Sequence, residues 1–290
     1  MNFKAQNLFN INSADVDLNG ITLIFGGARS GKSNLIRGMH YTYTIPNTKI
    51  TNSDGTEPTI TVDGSTVSNY LSYYEILNNF NLNEIPCYGQ SKFAKENSTV
   101  ISLMNGLVGG KFVRGTEMFF LPTLGGQVKG QVKLVQAGDS AMHLFELWTY
   151  LNYNSEYNDL IIMDCPERYL SLHDQRKLAR LFATLANKSI KVCIATNSDI
   201  IAKEINMLIG MYARKDNLPK EISRSEYLDE MFLPYNMVTA YDFIHYKTVD
   251  NRRYYNTYPM TVDSTYGIDC SRFDTTIEDM NAIHESLIWS

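Results

Sequence analysis

The residues with the clearest chemical meaning form one glycine-rich octapeptide, Gly26-Gly27-Ala28-Arg29-Ser30-Gly31-Lys32-Ser33. It matches G-x-x-x-x-G-K-[ST] at every fixed position. Glycines let a backbone curl so that successive N–H groups point inward and hold an anion. The lysine ammonium then reaches the outer phosphates of a nucleotide, and the serine hydroxyl is a ligand for Mg²⁺. The octapeptide therefore predicts a loop that binds a nucleoside triphosphate with Mg²⁺.

The segments on either side of this loop predict the elements that must position it. Residues 21–25 (ITLIF) form a short apolar run, which is typical of a parallel strand buried on both faces. A helical pattern follows from residue 33 to about residue 43. The amino terminus of that helix adds its partial positive charge to the anion site. A chance glycine-rich turn is the alternative, and this strand–loop–helix context disfavours it.

A second buried strand supplies a carboxylate for the metal side of the site. Residues 160–163 (LIIM) are apolar, and Asp164 follows them directly. An aspartate at the end of such a strand holds Mg²⁺, often through water. An aspartate that only ends a strand is the alternative, and it is less favoured once the phosphate loop is present.

The order of the patterns along the chain predicts an α/β fold. A third apolar run lies at residues 190–195, and helical stripes lie at residues 173–186 and 199–209. Strand–turn–helix units repeated in this way favour a doubly wound, mostly parallel sheet. We interpret residues 1–290 as a single bilobal unit with a C-terminal extension over residues 211–290.

About 130 residues separate the first two strands, which is far more than the length of a simple βαβ crossover. This segment predicts an inserted antiparallel α+β lobe. Its expected elements are a strand at residues 59–63, strands at 118–121 and 131–135, and a helix at 140–151. A helical stripe is expected at Val67, Tyr70, Tyr74 and Leu77. The tail predicts a strand at residues 238–246 and a final helix. The single apolar stripe of that helix (Ile277, Met280, Ile283 and Leu287) favours packing against its own sheet.

Composition excludes several classes of protein. The chain is 44% hydrophobic and 20% charged, with 26 basic and 31 acidic residues and a net charge of −5. These values exclude disorder and a coiled-coil rod, and they give no overall basic surface for nucleic acid. A local basic strip is the alternative, and scattered surface charges explain its members equally simply: Lys111, Arg114, Lys129 and Lys133.

Cysteine usage and hydropathy predict a cytoplasmic protein without membrane contact. The four cysteines are widely spaced and form no CxxC pair, which is typical of reduced side chains. No stretch approaches the ~20 apolar residues that span a bilayer.

Two classes of phosphate-loop protein are disfavoured by missing motifs. Asn187-Lys188-Ser189 is followed by Ile190, so the aspartate that reads guanine is missing. No arginine-rich lid of the small-molecule kinases is found, which leaves a kinase as a weak third hypothesis.

The segment over residues 159–209 resembles the ABC-type ATPases of the SMC, RecF and OLD group. There the second strand ends in D-E-P-E, an L-H-P turn follows, and the third strand leads to T-H-S. This chain has Asp164-Cys165-Pro166-Glu167, Leu170-Ser171-Leu172 and Thr196-Asn197-Ser198 at these places. Its tail is similar to AAA-type ATPases of anti-phage defence operons. The resemblance implies an ABC-ATPase head, within the P-loop NTPase fold.

The resemblance also implies how such a head works. Two heads trap ATP between the phosphate loop of one, here residues 26–33 with Asn34, and the signature segment of the other, here Gly138 and Ser140. Ser33, Asp164 and Gln90 are the implied Mg²⁺ ligands. The implied partners are a second copy and an effector protein such as a nuclease, with DNA as a weaker possibility. For Gly138, a simple turn with Ser140 as helix N-cap is the alternative.

The departures from the family pattern predict weak or lost ATP hydrolysis. The catalytic positions implied by the resemblance are Asp164, Cys165, Glu167 and Asn197. Cys165 stands where the family has the water-activating glutamate, and Asn197 stands where it has the switch histidine. A thiol lacks the charge and two-oxygen geometry of a carboxylate, although Glu167 is a partial substitute. Two hypotheses remain: an ATP-stabilised scaffold for an effector, and an active ATPase that drives a DNA-directed machine.

Overall fold

A nine-stranded sheet organises the part of the chain that the computed structural model describes, namely residues 1–44, 50–52, 54–63, 70–73, 89–115, 117–220, 222 and 226–288. In chain order its strands are β1 (Asn2–Leu8), β2 (Ile11–Asp17), β3 (Ile21–Gly26), β4 (Thr59–Asp63), β5 (Tyr70–Tyr73), β10 (Leu160–Asp164), β11 (Lys191–Ala195), β12 (Val238–Val249) and β13 (Arg252–Pro259). Across the sheet the order is β4-β1-β2-β13-β12-β3-β11-β10-β5.

Strand β3, which leads into the phosphate loop, lies inside the parallel half of this sheet. It pairs in parallel with β11 on one side and with β12 on the other, and β11, β10 and β5 continue in the same direction. The side chains of β3 from Ile21 to Phe25 are buried, as its apolar sequence predicts. Since parallel strands present their carboxyl ends at one edge, the loops after β3, β10 and β11 meet there.

Smaller antiparallel elements complete the described strands. They are β6 (Gly110–Arg114), β7 (Met118–Leu124), β8 (Gln127–Val128), β9 (Val132–Lys133), β14 (Val262–Asp263) and β15 (Gly267–Ile268). Strands β6 to β9 form one small sheet, which packs on the following helix through Phe112, whose ring lies 4.9 Å from that of Phe145. This sheet is the antiparallel lobe expected from the sequence.

Seven α-helices lie among the described residues, and three of them have serine caps. The helices are α1 (Lys32–Thr44), α2 (Lys92–Glu96), α3 (Ser98–Val108), α4 (Asp139–Thr149), α5 (Leu172–Asn187), α6 (Asp199–Ala213) and α7 (Ser271–Ile288). A π-helical turn, Tyr150–Asn154, extends α4. Serine side chains cap α2, α5 (Ser171) and α6 (Ser198), because each side-chain oxygen accepts a backbone N–H of the first turn.

Helices cover both faces of the parallel half of the sheet, which is why β3, β10 and β11 are mainly apolar. On one face, residues such as Leu35 and Met39 of α1 pack against Ile24 and Ile162. On the other face, α5 and α6 pack against residues such as Leu23 and Ile161. The mixed α/β fold predicted from the sequence is confirmed.

Several local predictions are wrong. Strands β4 and β5 belong to the main sheet, at its two opposite edges, rather than to an inserted lobe. Tyr70 lies in strand β5 and not on a helix, whereas Val67, Tyr74 and Leu77 lie outside the described residues. Of the strand expected at 131–135, only β9 forms, and a 3-10 turn, Leu134–Gln136, follows it. No pattern predicted β1 and β2.

The final helix also differs from its prediction. Along the described side chains of α7, residues 278–286 are exposed, and Met280 and Ile283 keep 66% and 62% of their surface. These two apolar side chains therefore do not pack on the sheet. None of the helices among the described residues has the length and the apolar surface that a membrane span requires.

A buried ionic cluster holds α5 to α6. Arg176 and Arg180 of α5 both donate to the Glu204 carboxylate of α6, at 2.7 and 2.5 Å, and Glu204 is fully buried. The Arg180 guanidinium also lies 4.1 Å from the ring centre of Tyr227. Removing the Glu204 carboxylate leaves the buried Arg180 with only Glu226, a partly exposed acid 2.8 Å away, as its ion-pair partner.

We expect Glu204→Gln to lower the free energy of unfolding by about 3 kcal/mol, because breaking a buried ion pair strands its partner. Urea unfolding of the purified variant measures this loss. The matched control is Glu230→Gln at the partly exposed pair with Lys188, 2.9 Å apart, where a loss under about 1 kcal/mol is expected. Equal losses in the two variants would contradict a stabilising role specific to the buried cluster.

Candidate functional site

The octapeptide forms the loop between β3 and α1, and its backbone requires glycine at two positions. Gly26 and Gly31 have φ angles of +145° and +109°, a region that side chains rarely adopt. A Cβ atom at Gly26 would lie 2.8 Å from Ser30 Oγ, and one at Gly31 would lie 2.7 Å from Asn10 Oδ1. Gly27, Ala28 and Arg29 are exposed along the outer turn of the loop.

The Lys32 ammonium is buried inside the loop. Its Nζ donates to the carbonyl oxygens of Gly26 and Gly27, at 2.5 and 3.1 Å, and only 6% of the residue is exposed. Burial lowers its pKa, and nearby Cys165, Asp164 and Glu167 act in the opposite direction. Among the described carboxylates none forms an ion pair with this lysine, so its positive charge remains for an anionic ligand.

Two hydroxyl groups and one amide complete the loop. Ser30 is buried and its Oγ has no hydrogen-bond partner, which is unusual because buried hydroxyls are nearly always paired. Ser33 is half-buried in the first turn of α1. Asn34 Nδ2 donates to Asn10 Oδ1 at 2.7 Å. The buried cation and the unpaired hydroxyl both fit a phosphate ligand.

Asn10, at the turn between β1 and β2, is a site residue that the sequence did not reveal. Besides accepting from Asn34, it donates through Nδ2 to the Arg29 carbonyl at 3.4 Å. It therefore joins the middle of the phosphate loop to the first turn of α1. No motif marks it, because it lies on an unpredicted hairpin.

Asp164 and Cys165 lie where β10 ends, beside this loop. Cys165 has a φ of +49°, and its N–H donates to the Ala195 carbonyl at 2.8 Å. Its Sγ donates to Asp164 Oδ1 at 3.7 Å. Burial, followed by the charges of Asp164 and Glu167, raises the pKa of the thiol to about 11. At neutral pH the thiol is therefore protonated, which makes Cys165 a poor proton acceptor.

Glu167 and Asn197 meet next to Cys165. The backbone N–H of Asn197 donates to Glu167 Oε1 at 3.0 Å, and Asn197 Nδ2 lies 4.0 Å from Cys165 Sγ. Glu167 Oε2 is buried and has no partner. The structure thus brings Asp164, Cys165, Glu167 and Asn197 to one place beside Lys32, and their catalytic roles stay predictions.

A cavity of about 250 Å³ opens beside the first two glycines of the loop. Its lining residues are Phe25, Gly26, Gly27, Thr196, Asn197, Asp242 and Met260. Asp242 belongs to β12, and no sequence pattern singled it out. The cavity places a carboxylate on the side of the loop that faces away from α1.

Gly138 and Ser140 lie at the start of α4, apart from the phosphate loop. Gly138 is the N-cap, with an extended backbone (φ −62°, ψ 156°), and no side chain caps the helix. The alternative in which Ser140 is the N-cap is therefore wrong, since α4 begins at Asp139. A Cβ atom at Gly138 would meet nothing within 4 Å, so no described group of the same chain lies close to this glycine.

The same helix contacts the segment after β10. His143 Nε2 lies 3.1 Å from the Pro166 carbonyl oxygen, and its ring stacks edge-on against Tyr169, with centroids 5.7 Å apart. Burial lowers the pKa of His143. These contacts join α4 to the segment that carries Cys165 and Glu167.

Gln90 is not brought to Ser33 or Asp164 by any described contact. Its Nε2 donates to Asn152 Oδ1 at 3.2 Å, and it lines a different groove with Ala94 and Lys95. Within the described ranges no group of three or more His, Cys, Asp or Glu side chains is placed to hold a metal. Of the three expected Mg²⁺ ligands, Ser33 lies in the phosphate loop and Asp164 lies beside it.

No family model and no curated protein matches the chain. Solved structures that align with it include the SMC head domain from Thermotoga maritima, at 11% identity over 90% of this chain and 98% of that chain, with a TM-score of 0.44. An SMC head bound to the C-winged helix domain of ScpA aligns at 10% identity over 89% and 97%, with a TM-score of 0.48.

A dimeric bacterial ABC transporter cassette, MJ0796, aligns at 14% identity over 70% of this chain and 90% of that chain, with a TM-score of 0.42. These values indicate a distant likeness in fold.

We expect Cys165 to be alkylated slowly, because only the thiolate reacts. With a pKa of about 11 in place of 9, the thiolate fraction at pH 8 falls about 100-fold. Iodoacetamide labelling, followed by peptide mass spectrometry, should give a rate that keeps rising with pH up to about 11. A small free thiol in the same tube is the control. Labelling as fast as that control at pH 8 would contradict a buried, protonated thiol.

Proposed function

We propose that the chain is an ATP-binding head that dimerises around Mg²⁺-ATP and acts as a switch or scaffold for a partner effector. One observation carries the proposal: the buried Lys32 ammonium lies within the loop at residues 26–33, next to the carboxylate of Asp164. A buried cation without a described ion-pair partner is stabilised when an anion binds. A triphosphate supplies that anion.

The residues present fit a nucleotide with its metal. The loop amides, the Lys32 ammonium and the unpaired Ser30 hydroxyl would hold phosphate oxygens. The Ser33 hydroxyl and Asp164 would hold Mg²⁺, which neutralises phosphate charge when it is bound. Gln90 stays a proposed third ligand, and it would have to release Asn152 first.

Dimerisation is proposed from the separation between the two halves of the expected ATP site. Gly138 and Ser140 lie at the exposed start of α4. A helix amino terminus attracts phosphate, yet no described hydrogen bond joins these residues to the phosphate loop of the same chain. A second copy would complete the site by presenting its α4 to the nucleotide.

The effector and the biological setting come from the resemblance in the sequence. A nuclease or another toxic protein in anti-phage defence is the proposed partner, and DNA is a weaker one. Of the four lysines and arginines considered as a basic strip, Lys133 pairs with Glu117 at 2.6 Å, which reduces its charge toward DNA. Residues 1–290 are proposed to form a single bilobal unit in the cytoplasm.

Weak hydrolysis follows from the groups near the phosphate loop. The protonated Cys165 thiol is not a base at neutral pH, and the Asn197 amide has no titratable proton. Losing one positioned base typically slows an enzyme by ~10²–10⁴. ATP would then act mainly by holding two copies together, and it would be released or cleaved slowly.

An active ATPase that drives a DNA repair, recombination or nuclease complex is the second candidate. Glu167 favours the active ATPase, because its Oε1 accepts the Asn197 N–H and its Oε2 is buried without a partner. A carboxylate in that place offers the charge that Cys165 lacks. The rate of ATP cleavage separates the two candidates.

We expect Lys32→Ala to weaken ATP binding by about 100-fold, since it removes a charged donor from the phosphate loop. Isothermal titration calorimetry with Mg²⁺-ATP measures the affinity, and light scattering measures the ATP-dependent dimer, which the variant should lose. Lys188→Ala, at a surface ion pair, is the matched control and should behave like the wild type. Unchanged affinity in Lys32→Ala would exclude the loop from nucleotide binding.

We expect the wild-type protein to turn over ATP more slowly than about 0.1 s⁻¹, given a median near 10 s⁻¹ for enzymes and the loss of a base. Phosphate release under saturating Mg²⁺-ATP measures this rate. Turnover at about 1 s⁻¹ or faster, unchanged in Cys165→Ala, would reject the switch and favour the active ATPase.

A further inference from the structure

Asp242 lies on the strand next to the phosphate loop and is buried. In the parallel pairing of β12 with β3, Asp242 is opposite Phe25 and Phe243 is opposite Gly26. Tyr241 and Phe243 pack into the core on the α1 side. Since side chains alternate along a strand, Asp242 points to the other face, and only 6% of it is exposed.

That face of the sheet edge contains the cavity of about 250 Å³, and Asp242 is the one charged side chain that lines it. The cavity also reaches Gly26, Gly27 and Asn197. It therefore joins a buried carboxylate to the start of the phosphate loop and to the Asn197 position, where the sequence lacks the family's histidine. Its volume accommodates several water molecules, each taking about 30 Å³.

A buried carboxylate beside a phosphate-binding loop is costly unless something between them relieves the repulsion. A water molecule does so, because it donates one hydrogen bond to the carboxylate while its oxygen faces the phosphate. Neither Cys165 nor Glu167 lines the cavity that would hold this water. A thiol also lacks the two-oxygen geometry of a carboxylate, and Glu167 Oε1 already accepts the Asn197 N–H.

We propose that Asp242 is a catalytic residue that orients the attacking water and accepts its proton; this inference rests on the proposed binding of ATP at the loop. The water oxygen forms a bond to the γ-phosphorus, and the bond from that phosphorus to the β–γ bridging oxygen breaks. The bond electrons leave with ADP. One water proton moves to the Asp242 carboxylate and then to the released phosphate or solvent. Nothing is oxidised or reduced.

Asp242→Asn tests the inference in two independent measurements. Single-turnover phosphate release should fall at least about 100-fold, because the amide does not accept the proton. Affinity for Mg²⁺-ATP should rise by about threefold or more relative to Mg²⁺-ADP, because a negative charge facing the γ-phosphate is removed. Calorimetry with each nucleotide measures the second effect without any turnover. Asp279→Asn, on the exposed part of α7, removes the same charge elsewhere and should match the wild type.

The outcomes separate the inference from the proposed function. A release rate in Asp242→Asn within about threefold of the wild type, or an unchanged ATP-to-ADP affinity ratio, would overturn the catalytic role. Wild-type protein that binds ATP and releases no phosphate would overturn it as well, and the switch would stand. Wild-type protein that does not bind ATP would instead remove the proposed function.

A folding defect does not leave the question open. If Asp242→Asn shows no cooperative thermal unfolding, Asp242→Glu replaces it, because this variant keeps the charge and moves the carboxylate by one methylene. Its phosphate release should fall about tenfold, with the ATP-to-ADP affinity ratio unchanged. An unchanged release rate in this variant would also overturn the catalytic role.

Discussion

The burial of one ammonium group, that of Lys32, is the constraint on which the arrangement of the surrounding loop depends. Lys32 lies inside a curl of backbone where two carbonyl oxygens hold its Nζ, and an isolated cation in such a place is costly. The curl is possible because Gly26 and Gly31 adopt positive φ angles, and Asn10 braces it from a neighbouring hairpin. The loop is therefore preorganised for an anion before any ligand arrives.

The parallel sheet brings the other chemical groups to this ammonium. Because β3, β11 and β10 run in the same direction, the residues that follow them meet at one edge. A side chain then ties two of these loops together. Gln175 donates to the Leu170 carbonyl at 3.1 Å and accepts from Ser198 Oγ at 2.6 Å. The loops after β10 and β11 are thus held as one unit on the apolar packing of α5 and α6.

Features that depend on residues close together in the sequence were predicted correctly. The phosphate loop, the strand that ends at Asp164 and the apolar stripes of the helices belong to this group, because each pattern lies within a short segment. Asn10 and Asp242 were not readable, since strand pairing over long sequence separations brings them to the loop. The short strands β4 and β5 were misassigned for a related reason, because their place in the sheet depends on β1 and β10 rather than on local periodicity.

The thiol beside the phosphate loop has a consequence for chemistry under oxidative stress. Peroxide attacks thiolates, so susceptibility follows the ionised fraction and access. Cys165 is held protonated by burial and by neighbouring carboxylates, and each described cysteine, namely Cys165, Cys193 and Cys270, is free of a disulfide. We therefore expect peroxide to oxidise the Cys165 thiol slowly.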